Sequence, residues 1–201
     1  MKEDEKTRSP QQVYQTNKDK QRVVITGSQA RMITAMVIYV LDSFHREFDF
    51  VTPVPPPGAS SSSRNGDAPL IIIQEEQPTP SILEYRHHIG VISELPAGTD
   101  DFINRFADAT PKGGTLIFTE RDPVGTIGKK ERPGITGIPF TTYPHIVENG
   151  TVALITSKNE RVPIRLRGEQ NLSNISAAKE ILKKIGITSG QFYGMIARFD
   201  A

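Results

Sequence analysis

Val23-Val24-Ile25-Thr26-Gly27-Ser28-Gln29-Ala30-Arg31-Met32-Ile33-Thr34 is the stretch whose reading decides the fold. Its β-branched opening stops at Gly27, the pattern of a buried parallel strand entering a turn. Beyond the turn, Ile33, Met36, Val37, Val40, Leu41 and Phe44 recur at spacings of three and four, which lines one face of an α-helix. Strand, glycine turn and helix together predict an α/β protein.

Working outward, Leu70 to Ile73 and Ile89 to Ile92 read as two more buried strands, with SILEYRHH between them as a short helix or crossover turn. Asp100 to Ala107 suits a helix, and Leu116-Ile117-Phe118 makes a core strand after Lys112-Gly113-Gly114. Thr151 to Ile155 and Val162 to Leu166 flank the turn residues Lys158-Asn159-Glu160, which predicts a hairpin. Ile175, Ala178, Ile181, Leu182 and Ile185 repeat at helical spacing and stop at Gly186. The expected fold is a mostly parallel sheet flanked by helices, with a small antiparallel hairpin subsheet. Residues 1–20 are polar and charged and read as a flexible arm, residues 21–201 as one domain, and the proline- and serine-rich 53–69 as a mobile loop within it.

A chain of 201 residues with 36% apolar content fits a single core. Its 24 basic and 23 acidic side chains leave a formal charge of +1, which offers no net field for a nucleic-acid backbone or an anionic bilayer. Without cysteine, disulfides, zinc thiolates and cysteine nucleophiles are all excluded. The opening MKEDEKTRSPQQVYQTNKDKQR lacks the apolar core of a signal peptide, and every apolar run falls short of the ~20 residues that span a bilayer. The expected location is the cytoplasm, with neither nucleic acid nor membrane as partner.

The free N–H groups of a helix that opens on a glycine turn can receive an anion. A working phosphate loop also needs small residues for close backbone approach, a lysine for the β and γ phosphates, and a hydroxyl for magnesium. Gly27, Ser28, Gln29, Ala30, Arg31, Met32 and Ile33 resemble the G-T-x-G-K-T-T loop of the Mur ligases, with Arg31 at the lysine position. The guanidinium is a wide planar fork where the loop encloses a compact ammonium. The Met32 thioether is a poor magnesium ligand, and Ala30 takes the place of a glycine.

Further stretches are similar to the Mur central domain. LIIIQEEQ resembles the acidic strand end IAEADE of the alanine-adding ligases, with Gln74 at the metal-binding glutamate and Glu75 and Glu76 out of register. VISELPAGTDD resembles VTNIEADHMD, with Thr99 at the metal-binding histidine. LIFTERDPVG resembles the strand and Asp-Asp-Pro turn that follow, keeping Asp122 and Pro123 and replacing the first aspartate by Arg121. LRGEQNLSNISAAKEILKKIGI resembles G-x-H-N-x-x-N-x-x-A-A and its amphipathic helix, keeping Asn171 and Asn174 and placing Gln170 at the histidine; in Mur ligases this segment lies against adenine. FYGMIARFDA resembles the family's F-x-G-x-x-R-R-F-E.

The resemblance covers residues 21–201 and implies a vestigial nucleotide site of Gly27, Ser28, Arg31, Asp122, Asn171 and Asn174. Each has a plainer reading beside it. Gly27 to Arg31 also suits an ordinary strand-to-helix turn, and both asparagines suit helix capping. Glu75 and Glu76 suit solvated strand-end carboxylates. Neither His45, His87, His88 nor His145 completes a metal cluster, and neither Ser28 nor Ser93 has an assignable base, so no catalytic residue and no metal ligand are expected. The resemblance thus points to a degenerate central-domain protein without catalysis, needing neither cofactor nor magnesium. Its role would be binding or regulation in peptidoglycan precursor synthesis through a protein partner such as a cell-wall enzyme. The alternative is an ATP- or ADP-binding subunit of an ADP-forming amide ligase completed by other chains.

Overall fold

A computed structural model describes residues 8–200. Its centre is β1 (Gln21–Thr26), whose burial on both faces requires parallel neighbours on both edges. Those neighbours are β4 (Leu70–Glu75) and β5 (Ile89–Ile92), which pair in parallel with Val24 opposite Ile73 on one edge and Gly90 on the other. Beyond them lie β2 (Asp49–Val51), β6 (Thr115–Thr119) and β7 (Thr136–Phe140), also parallel, and β3 (Ser63–Arg64), antiparallel at the far edge. The seven-stranded order is β3-β2-β4-β1-β5-β6-β7.

The pleat sends alternate side chains to opposite faces, so two cores form. Val23, Ile25, Ile72, Val91 and Ile117 meet α2 (Ala30–Ser43), α5 (Glu169–Lys184) and α6 (Ser189–Ile196). Val24, Ile71, Ile73, Leu116 and Phe118 meet α3 (Asp100–Asp108), α4 (Val124–Gly128) and the 3-10 turn Pro80–Tyr85. A second sheet of β8 (His145–Glu148), β9 (Thr151–Ile155) and β10 (Arg161–Ile164) is antiparallel throughout, and the predicted hairpin is its β9-β10 half. The expected mixed α/β architecture is therefore present. No helix among the described residues is long and apolar enough to cross a membrane.

Two expectations need correction. Within the segment read as an arm, Pro10–Thr16 is a helix, α1, closed by a capping box between Ser9 and Gln12, and its Val13 is 2% exposed. The Arg22 guanidinium lies 5.1 Å and that of Arg86 4.8 Å from the Tyr14 ring, so α1 is held against the end of the sheet. Residues 1–7 of that arm lie outside the described region. Within the loop 53–69, Ser63 and Arg64 pair with β2, and Thr52 N–H bonds the Ser62 carbonyl at 2.8 Å. The Arg64 guanidinium lies over the Phe48 ring at 4.6 Å, giving a polar strand end an aromatic surface to cover.

Candidate functional site

The C-terminal ends of parallel strands and the turns that follow them are where such sheets bind ligands. Here β1 ends at Thr26, beside the end of β5, and the turn 27–29 runs into α2. Gly27 has φ +102°, and a Cβ on it would sit 2.4 Å from Ser93 Oγ and 2.9 Å from the Glu94 carbonyl oxygen. Only glycine meets both demands. Gly27→Ala is expected to cost about 2 kcal/mol from the backbone strain and the forced retreat of Glu94, read as a lowered urea midpoint; an unchanged midpoint would mean that the turn is slack.

The amides of the turn already have partners inside the chain. Ser28 N–H bonds the Glu94 carbonyl at 2.9 Å, Gln29 N–H bonds Ser93 Oγ at 3.1 Å, and Ala30 N–H bonds the Gly27 carbonyl at 3.0 Å. Ser93 Oγ donates in turn to the Thr26 carbonyl at 3.1 Å, so this hydroxyl bridges the end of β1 to the turn. Glu94 is itself tethered, its carboxylate accepting from Arg121 Nη1 at 2.7 Å. Ala30 is the first residue of α2 with no positive φ, so the glycine-to-alanine change carries no strain; the turn is tight rather than cupped.

The residues expected from the sequence separate into two groups. Gly27, Ser28 and Arg31 stand together at the turn, and Asn174 joins them because its Nδ2 donates to Gln29 Oε1 at 3.2 Å from α5. Asn174 is 1% exposed, and its Oδ1 has no partner. Arg31 is exposed, and Met32 packs partly buried against the core. Asn171, by contrast, turns its amide back to the Arg167 carbonyl at 2.9 Å, a bond to the backbone just ahead of α5 that caps none of its free N–H groups. Asp122 Oδ1 accepts from Thr126 N–H at 3.0 Å and from its hydroxyl at 2.6 Å, which lowers the carboxyl pKa and ties the start of α4.

At the expected metal positions the side chains are otherwise engaged. Gln74 donates to Glu76 Oε1 at 3.3 Å, Glu75 Oε1 accepts from the Tyr85 hydroxyl at 2.7 Å, and Thr99 Oγ1 donates to the Pro96 carbonyl at 2.7 Å. Burial and that carboxylate push the Tyr85 phenol far above its ordinary range. Among the described residues no three His, Asp or Glu side chains are grouped to hold a metal ion.

The sequence offers Ser93 only as a nucleophile without a base, Gln29 only as a loop position and Glu94 not at all, yet these three make the turn what it is. The available signal was positional: a parallel strand next to β1 must end beside the same turn.

No family model matches the chain. It is 25% identical over 132 residues to the UDP-N-acetylmuramate–L-alanine ligase of Mycobacterium marinum (strain ATCC BAA-535 / M), a match that covers 60% of this chain and 27% of that protein. The chain thus corresponds to about a quarter of its curated relative's length. Among solved structures, UDP-N-acetylmuramate:L-alanyl-gamma-D-glutamyl-meso-diaminopimelate ligase from Neisseria meningitides superimposes with a TM-score of 0.78 at 15% identity, covering 96% of this chain and 70% of that one. UDP-N-acetylmuramate-alanine ligase from Thermotoga maritima gives 0.71 at 11% identity, covering 94% and 47%. The sequence match and the shared fold together relate this chain to the central domain of the Mur ligases.

Proposed function

We propose that this chain is a Mur ligase central-domain relative that has lost catalysis and serves peptidoglycan precursor synthesis by binding a protein partner. The observation that carries the reading is the turn itself. Ser28 and Gln29, whose amides would face a phosphoryl group, direct them to the Glu94 carbonyl and the Ser93 hydroxyl. An anion entering there must displace both bonds, and the buried acceptors left behind carry a desolvation penalty of about 1–3 kcal/mol each. Amide ligation through an acyl phosphate further demands a metal-bridged triphosphate held in line with a second substrate. Gln74 offers a neutral amide and Thr99 a hydroxyl where the family has a metal-binding glutamate and histidine, so neither the carboxylate charge nor the imidazole is replaced.

Titration calorimetry of the intact chain with magnesium and ATP tests this. The expected result is no heat of binding up to millimolar nucleotide. Micromolar, magnesium-dependent binding would instead support an ATP-binding subunit of a ligase completed elsewhere. One feature favours that second reading: Arg31 is exposed in the first turn of α2 and joins none of the chain's ion pairs among the described residues. Arg31→Ala should then abolish the affinity.

A further inference from the structure

We propose that the cleft at the N-terminal ends of β1, β5 and β6 is a site for a small, metal-free phosphate anion of the diphosphate class, held by Lys18, Lys112, Lys184 and His88. It lies at the opposite end of these strands from the Gly27 turn and is independent of the reading of that turn. The cleft has a volume of about 810 Å³ and opens where β1 starts at Gln21, β5 at Ile89 and β6 at Thr115. Lys18, Lys112 and Lys184 line it from three separate segments, and none of them joins an ion pair among the described residues. Lys20 lines it too, but its ammonium is engaged by Asp49 and by the Gly66 carbonyl at 2.6 Å. Asp19 is the one carboxylate of the lining, so positive charge prevails there. Beside Lys112 the backbone is open, since a Cβ on Gly113 would meet nothing within 4 Å.

Solvated lysines alone make an ordinary basic surface; the buried donors next to them do not. Arg22 is 5% exposed, and its Nη1 donates to the Lys18 and Lys20 carbonyls at 2.7 and 2.9 Å, which fixes the turn that carries two of the lining side chains. Its Nη2 faces His88 Nε2 at 3.4 Å and has no other hydrogen-bonding neighbour among the described residues. His88 cannot accept there. Its Nδ1 accepts from the Arg22 backbone N–H at 3.1 Å, and burial with the adjoining guanidinium pushes the imidazole pKa down, so the neutral ring carries its proton on Nε2. Two donors therefore converge, one of them on a permanent positive charge, and His88 is itself on the wall of the cleft. A phosphate oxygen accepting from His88 Nε2–H also stands beside the Arg22 guanidinium, which no carboxylate among the described residues pairs with. Ammonium groups on separate segments around a cleft of this size match the several charges of a diphosphate better than the single charge of a carboxylate.

The experiment is amide and imidazole NMR of the full chain titrated with metal-free inorganic pyrophosphate, at ionic strength held constant with sodium chloride. It is run on the parent protein and on the double variant Lys112→Gln, Lys184→Gln, whose exposed side chains bear on no ion pair of the fold. In the parent, the amides of Lys18, Gly113 and Gly114 and the His88 ring nitrogens should shift and saturate by low-millimolar pyrophosphate, while Ser28 and Gln29 stay still. The double variant should bind about tenfold more weakly or worse, for two charged donors removed. Before any pyrophosphate is added, the His88 ring should show the proton on Nε2; a proton on Nδ1 would remove the converging donors and overturn the proposal. Shifts that rise without saturating, that saturate alike in both proteins, or that fall on Ser28 and Gln29 instead, overturn it as well. Each of those failures leaves the proposed function as it stands, because the magnesium and ATP titration addresses the other end of the sheet.

Discussion

Between neutral pH and about pH 4.5, the protein is expected to lose about 2–3 kcal/mol of stability through one side chain, His87. The imidazole is fully buried, stacked on the Phe106 ring at 4.3 Å, with Nε2 2.9 Å from Thr110 Oγ1 and Nδ1 without a partner. Gly90 leaves it room, since a Cβ there would lie 2.7 Å from Nε2. Burial, reinforced by the neighbouring His88 and Arg22, pushes its pKa down to about 3. The unfolded chain, with an ordinary imidazole near 6.5, takes up a proton that the folded state refuses. Stability from this group is therefore complete above about pH 6.5 and falls by about 1.4 kcal/mol per unit as pH drops toward the folded value. Urea unfolding of parent and His87→Leu at pH 7 and pH 4.5 checks it. The variant should lose the imidazole's share of the slope, whereas carboxylates contribute equally to both proteins. Parallel pH profiles would mean that the folded protein admits the proton.

The inner strands were legible because their burial on both faces writes itself as short runs without a polar residue, rich in valine and isoleucine: Val23 to Ile25, Leu70 to Ile73, Ile89 to Ile92 and Leu116 to Phe118. The outer elements were not. Strand β7, Thr-Gly-Ile-Pro-Phe, combines two residues that disfavour strands and owes its pairing to β6 alongside it. Asp49-Phe50-Val51 is too short to show alternation, and the five residues of α4 too few to show helical periodicity. Helix α1 was missed for another reason. The charge and polarity of residues 1–20 suggested an arm, while the capping pair Ser9 and Gln12 with Pro10 between them was a readable start signal.

At the candidate site, the turn at Gly27 and the approach of Asn174 follow from the strand-turn-helix pattern and the likeness of the α5 segment. What no local pattern discloses is which atoms satisfy the turn. Ser93 and Glu94 stand more than sixty residues downstream and reach it only because β5 pairs with β1. Asp122 and Asn171 instead bond backbone four residues away, the Thr126 N–H and the Arg167 carbonyl, an outcome set by short-range geometry rather than residue type.

Replacing Arg22 with methionine is expected to cost about 3–4 kcal/mol, although no carboxylate among the described residues forms an ion pair with this side chain. Arg22 is 5% exposed in β1, and its guanidinium donates to the carbonyls of Asn17, Lys18, Lys20, Tyr85 and Arg86 at 2.7 to 3.2 Å. Those carbonyls belong to the ends of α1 and of the 3-10 turn, segments that have no ladder of their own to use them. Burial lowers the pKa, yet a guanidinium keeps its proton, so a fixed charge is solvated by backbone dipoles in place of water. Methionine matches the stem but takes the guanidinium donor from all five carbonyls, of which only that of Asn17 keeps a partner in the Lys20 N–H, and α1 loses one of the two cations that face Tyr14, the one at 5.1 Å. Lysine should recover only part of the loss, because a single ammonium cannot span acceptors arranged around a planar fork. Urea midpoints measure the energy, and hydrogen exchange locates it: the Val13 amide, bonded to the Ser9 carbonyl at 3.0 Å, should open first in Arg22→Met. A methionine variant with the parent's midpoint and a protected Val13 would show that α1 docks through Val13 and Tyr14 alone.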